Sequence, residues 1–215
     1  MSGGRRFLIT IPNYEDTTAY LTAWSAEVIE MAKEKGFRVV SLPGKLANRK
    51  EFGARMAQHD PRFVMLNGHG DQRNVYGQDG EVLLEMGDEH LLAGKVAYAL
   101  SCYSLMELGA SCASKGADAY IGYALPFMFY FDPSRSATPA KDKIAGCFAE
   151  AANAVPFSLL KGQTVSDSIR RSKEAFDKQI ERWKLDSSPD AEWVVAALMN
   201  DRDTLGFEGK GSATL

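Results

Sequence analysis

The chain contains three cysteines and three histidines, so every thiol and imidazole can be weighed singly. Two of them stand in equivalent places. His69 lies in Asn67-Gly68-His69-Gly70, directly after the apolar run 62–67, and Cys102 lies in Leu100-Ser101-Cys102-Tyr103, directly after the run 95–100. Both runs read as buried strands, and in an open parallel sheet ligands collect beyond the carboxyl ends of the strands. Neighbouring strand ends are about 4.8 Å apart. If these two strands are neighbours, a thiol and an imidazole face one gap, as nucleophile and general acid/base. Gly68 and Gly70 let the backbone come close to a ligand. The N–H groups of Gly70 and Cys102 are candidates for an oxyanion hole. Taken alone, a cysteine after a strand is more often a small core residue, and a histidine in a glycine turn is often a hydrogen-bonded loop residue. Their shared position at strand C-termini argues against coincidence.

The other candidates carry less. Cys112 and Cys147 fall inside helical stretches among small apolar residues and read as core. His59 sits near a helix C-terminus, where a cation is favoured, and His90 lies in a short helix. Asp71, Asp79 and Glu81 are oxygen ligands of the kind calcium takes, but there is no EF-hand spacing and a hairpin turn accounts for them. No CxxC or HExxH occurs, and no glycine-rich phosphate loop follows the first strand. The expectation is therefore no metal and no cofactor.

These residues need a frame. Residues 7–11, 37–42, 62–67, 95–100 and 119–125 read as strands, and 16–35, 47–59 and 105–115 as helices between them. Asp16 or Thr17 is the expected cap of the first helix and Gly36 its stop. Strand alternating with helix predicts a parallel sheet covered on both faces, an α/β/α sandwich. Residues 75–85, with Gln78-Asp79-Gly80 at their centre, predict a small hairpin insertion. Residues 126–139 are aromatic and turn-rich; 140–160 and 165–184 are helices. The apolar run 193–199 fits either a strand or a helix.

The 215 residues, 45% hydrophobic and 25% charged, fit one domain over 1–215. A net charge of −3 with no Lys/Arg run argues against nucleic acid as a partner. No stretch reaches the roughly 18 apolar residues of a membrane span, and no signal segment precedes the first strand. An odd cysteine count suits a reducing compartment, so the expectation is a soluble, cytoplasmic protein.

The order of motifs resembles the caspase-like cysteine peptidases, the clan of caspases, metacaspases, gingipains, clostripain, separase and CHAT domains. The residues that carry the resemblance are Phe63-Val64-Met65-Leu66-Asn67-Gly68-His69-Gly70 and, 33 residues on, Val96-Ala97-Tyr98-Ala99-Leu100-Ser101-Cys102. The small-residue helix and Gly116-Ala117-Asp118-Ala119-Tyr120-Ile121-Gly122-Tyr123 look like the CHAT and gingipain branch. Residues 193–205 look like that branch's last strand and its Gly-Asp-Pro turn, with Asn200-Asp201-Arg202 departing from it. By that analogy 193–199 becomes the sixth strand of a six-stranded, mostly parallel sheet. The resemblance implies peptide-bond hydrolysis through a thioester on Cys102, with His69 protonating the leaving amine and Gly70 and Cys102 holding the oxyanion.

In this clan, charges at the ends of the first and fifth strands choose the side chain before the scissile bond. The matching regions hold Asp16 and Asp132, which implies a basic P1 residue; a helix cap and a turn before Pro133 explain the same two acids. The aromatic stretch 127–131 reads as a substrate groove wall or as core. Relatives are often cut after the catalytic cysteine, which implies an activating partner or self-processing. Here that cut falls within 133–143, near Arg135, Lys141 or Lys143. The implied partner is a protein or peptide substrate. The competing reading is an inactive binding or regulatory domain of the same fold. A class I amidotransferase fits poorly, since its histidine follows its nucleophile and no histidine follows Cys102.

Overall fold

The computed structural model describes residues 5–215. Its centre is a six-stranded sheet built from β1 (Arg6–Ile11), β2 (Arg38–Pro43), β3 (Phe63–Asn67), β6 (Val96–Leu100), β7 (Ala119–Tyr123) and β8 (Leu205–Gly209). Their order is β2-β1-β3-β6-β7-β8; the first five run parallel and β8 pairs antiparallel with β7. The strands are apolar on both sides because helices cover both faces. Alternate residues feed two cores. Phe7, Ile9, Phe63, Met65, Val96 and Tyr98 enter one, and Leu8, Val64, Leu66, Ala97 and Ala99 enter the other. Each such Phe or Leu contributes roughly 2 kcal/mol relative to exposure.

The first core is closed by α1 (Asp16–Glu34), α4 (Lys143–Leu160), α5 (Val165–Lys184) and α6 (Ala191–Thr204). The second is closed by α2 (Arg49–His59), α3 (Ala110–Ser114) and the hairpin of β4 (Asn74–Tyr76) and β5 (Val82–Glu85). The hairpin is antiparallel, as its central Gln78-Asp79-Gly80 turn predicts. Among the described residues no helix is long and apolar enough to cross a membrane.

Three expectations need correction. Residues 193–199 are not a strand but the middle of α6. Val194, Ala197, Leu198 and Asp201 are buried at helical spacing, whereas Trp193 is 61% and Met199 40% exposed. A strand covered on both faces would have hidden all of them. The sixth strand follows instead at β8, and its direction is antiparallel. The cap of α1 is neither Asp16 nor Thr17 but Glu15. Its carboxylate accepts from Thr17 N (2.9 Å) and Thr18 N (2.7 Å), leaving Asp16 as the first helical residue. Residues 105–115 open with a π turn, Leu105–Gly109, before α3 begins.

A buried carboxylate ties the second core together. Glu89, in the turn Glu89–Leu92, is 1% exposed; it accepts from Ser111 Oγ (2.7 Å) and Gly87 N (2.9 Å), with Lys115 Nζ at 3.0 Å. Burial pushes its carboxyl up, but the Ser111 hydroxyl, the backbone N–H groups and Lys115 outweigh this and hold it at about 2. Because the folded value lies below the unfolded value of 4.5, the stabilisation is complete above that pH and fades as pH falls toward 2. Glu89→Gln should therefore cost about 2 kcal/mol at neutral pH, and urea melts should show its deficit narrowing from pH 4.5 to 2.

Candidate active site

Parallel pairing sets the site. In the β3–β6 ladder Asn67 stands opposite Leu100. His69 and Cys102 each lie two residues beyond that pair, past the ends of two adjacent strands. The strand end is locked from below, since Asn67 donates through Nδ2 to Thr10 O (2.8 Å) and Ser25 Oγ (3.0 Å).

Glycine is required twice between them. Gly68 has φ +147°, and a Cβ there would overlap the Tyr76 carbonyl oxygen. A Cβ on Gly70 would lie 2.7 Å from Cys102 O and 3.0 Å from Ser101 Cβ. The turn after His69 therefore packs backbone to backbone against the turn that carries the thiol. Tyr76 N donates to His69 O (2.9 Å) and Asp71 N to Asn74 O (3.0 Å), which fixes the segment against the hairpin. Neither Gly70 N nor Cys102 N donates to another described residue. Tyr103, next to the thiol, takes φ +58°, uncommon for a residue with a side chain and a mark of local strain.

Cys102 is half-buried, whereas Cys112 is 0% and Cys147 3% exposed. Burial pushes the Cys102 thiol above its ordinary value, and the nearby Asp201 adds to this. The Cys102 Sγ donates to Phe127 O at 3.8 Å. Burial drives Cys112 and Cys147 up to about 12.

Two acids that sequence reasoning did not select stand beside the dyad. Glu15 Oε1 lies 3.4 Å from His69 Nε2. Burial pushes its carboxyl up, but the Thr17 and Thr18 donors outweigh it and keep it ionised. The signal for it was its place just before a helix, where Asp16 drew the attention. Asp201 is fully buried near the thiol, and burial lifts its carboxyl well above the carboxylate range. Its Oδ1 accepts from Met128 N (2.9 Å), while Asn200 Nδ2 donates to Pro126 O (2.8 Å). Together they anchor the segment 125–131 beside Cys102. Asn200-Asp201 was visible in sequence only as a departure from a family turn.

That segment is extended and two-sided. Phe127, Phe129 and Phe131 pack on the core, with Trp24 4.9 Å from Phe129 and Tyr20 4.9 Å from Phe131. Leu125, Met128 and Tyr130 are 41–48% exposed. From 129 to 131 no backbone group bonds to another described residue. So the stretch packs on the core along one side and faces solvent along the other.

The two expected specificity acids lie at one end of it. Asp16 is exposed in the first turn of α1. Asp132 accepts from Ser134 N (2.9 Å) and caps the turn Pro133–Arg135. Both charges act on the Tyr20 hydroxyl, which burial and its bond to Asp142 already push up. Asp142 is 3% exposed and accepts from Tyr20 Oη (2.7 Å), Asp132 N (2.8 Å), Ile144 N (2.9 Å) and Ala145 N (3.1 Å). His59 ends α2 and His90 lies in the turn Glu89–Leu92, both outside this site. The Asp71 carboxylate is filled by Tyr76 Oη (2.6 Å), Asn74 Nδ2 (3.1 Å) and the N–H groups of Arg73 and Asn74.

No family model and no curated protein sequence matches the chain. Among solved structures it is similar to the Arg-specific cysteine proteinase gingipain R, with a TM-score of 0.60 and 12% identity. The match covers 98% of this chain and 47% of that one, so the chain spans about half the gingipain chain. At this identity the likeness is one of fold, and it is the caspase-like fold: a six-stranded, mostly parallel sheet flanked by helices.

The thiols differ enough to be separated chemically. Iodoacetamide should label Cys102 well before Cys112 and Cys147, with mass spectrometry locating the label. Since only the thiolate reacts and burial raises this thiol, labelling should run slower than for a free cysteine at pH 7.5 and still be climbing at pH 9.

Proposed function

We propose that the chain is a cysteine endopeptidase acting through Cys102 and His69. The observation that carries this reading is the position of the two residues, each two past the paired ends of β3 and β6, with Gly70 packed on the Cys102 peptide. The Cys102 thiol passes its proton to His69 as its sulfur attacks the substrate carbonyl and forms the C–S bond. The N–H groups of Gly70 and Cys102 hold the resulting oxyanion. His69 gives its proton to the leaving amine as the C–N bond breaks. Water then attacks the thioester, returning the thiol and releasing the acid. Glu15, held ionised by the α1 N-terminus, orients His69 through Nε2 and leaves Nδ1 for the reacting groups. The extended 129–131 backbone offers unpaired N–H and C=O groups on which a substrate strand can add.

The P1 residue we assign is basic. Asp16 and Asp132 make the end of the groove acidic, and the fold neighbour is an Arg-specific proteinase. The motifs from Cys102 to Tyr123 support the CHAT and gingipain branch of the clan. Arg135, Lys141 and Lys143 are exposed and fit a basic-directed self-cut. The second reading, a catalytically silent domain of the same fold, is favoured by one feature: the resting thiol is half-buried and engaged by Phe127 O.

A peptide-library digest decides between them. The wild type should cleave after Arg or Lys, Cys102→Ala should cleave nothing, and intact mass of the same incubation should show any cut within 133–143. Cleavage surviving in Cys102→Ala, or none in either protein, removes the peptidase reading. Glu15→Gln should lower kcat at least tenfold with little change in KM, apart from about 1 kcal/mol of lost helix cap seen in a thermal melt.

A further inference from the structure

The dyad is flanked by different features on the two faces of the sheet. On the α1 and α4 side lies the aromatic segment, seated through Phe127, Phe129 and Phe131 on the first core. On the opposite side lies a groove of about 370 Å³ lined by Asp71, Gln72, Arg73, Asn74 and Tyr103. Its base belongs to the second core. Val75 and Leu108 are buried there, and Leu108 N donates to Gln72 O at 2.8 Å. The groove starts where the oxyanion pair ends, since Asp71 follows Gly70 and Tyr103 follows Cys102.

A peptide that lays its unprimed residues along 129–131 and its scissile bond over Cys102 must continue across the strand tips. It therefore passes onto the second face, over this groove. We propose that the groove is the leaving-side subsite, and that Arg73 makes it select an acidic residue one to three positions after the scissile bond. This rests on the peptidase reading.

The charges in the groove support Arg73 as the recognising group. Asp71 cannot serve, because four donors already occupy its oxygens and hold its carboxyl low despite burial. Arg73 is 63% exposed at its side chain, and its one ionic neighbour, Glu107, stands 3.7 Å from Nε, beyond hydrogen-bond reach. The guanidinium thus presents a fork of donors to a carboxylate. Glu107, itself 48% exposed on the π turn, is the acid that such a side chain would displace. The strained Tyr103 turn supplies the far wall: its N–H donates to Leu125 O at 3.3 Å, so the same residue links this groove to the segment on the other face.

The test uses peptides with one fixed basic P1 sequence and Glu, Ala or Lys at the first three leaving-side positions. The readout is the ratio of kcat/KM for the Glu and Lys peptides within each protein, which cancels differences in folded fraction. Wild type should favour Glu by about threefold or more, as an exposed ion pair allows. Arg73→Glu should invert the ratio, Arg73→Lys should keep its direction, and Glu107→Ala should increase it. A ratio unchanged between wild type and Arg73→Glu overturns the subsite while leaving the peptidase reading intact. Absence of cleavage of every peptide by wild type removes both.

Discussion

Everything at this site hangs on one ladder, the parallel pairing of β3 with β6. Parallel strands have no hairpin to set their register, so register comes from burial of both faces. Phe63, Met65, Val96 and Tyr98 go to one core and Val64, Leu66, Ala97 and Ala99 to the other. A slip of one residue would exchange the two sets wholesale. It would also move the imidazole and the thiol off level. The stability of the cores and the geometry of the dyad are therefore one constraint.

Around that ladder, backbone contacts carry more than side chains do. The His69 turn meets the Cys102 turn through Gly70, and meets the hairpin through Gly68. The segment 125–131 is held by buried acids at its middle, Asp201 at Met128 N, and just past its end, Asp142 at Asp132 N. Burial raises the carboxyl of the first of these acids, and the second accepts four hydrogen bonds. The stretch beside Cys102 is thus an irregular segment held by regular elements, the usual division between loop and scaffold.

The strand–helix alternation, and the position of His69 and Cys102 just past two strands, were legible in the sequence because continuous apolar runs and glycine punctuation are local signals. What was not legible depended on tertiary contact. The run 193–199 is apolar enough for a strand, and only the exposure of Trp193 and Met199 shows a helix lying on the sheet. Glu15 looked like one acid among several before α1; its distance to His69, 54 residues away, follows from β1 and β3 being neighbours. Asp201 reads as an ordinary helix acid until its burial beside β6 and β7 is known. Through 127–131, Phe127, Phe129 and Phe131 pack on the core while Met128 and Tyr130 are exposed, an alternation that aromatic composition alone does not show.

Asp142 has a consequence for chain continuity. Its carboxylate holds the backbone at Asp132 upstream and at Ile144 and Ala145 downstream, while the residues between them form an exposed excursion. Both ends of that excursion are pinned to one buried group that is itself fixed to α1 through Tyr20. A break in the excursion would therefore leave two new termini moored side by side, with the aromatic segment and the start of α4 still in place. The polypeptide can lose its covalent thread there without losing the packing of the aromatic segment on the core.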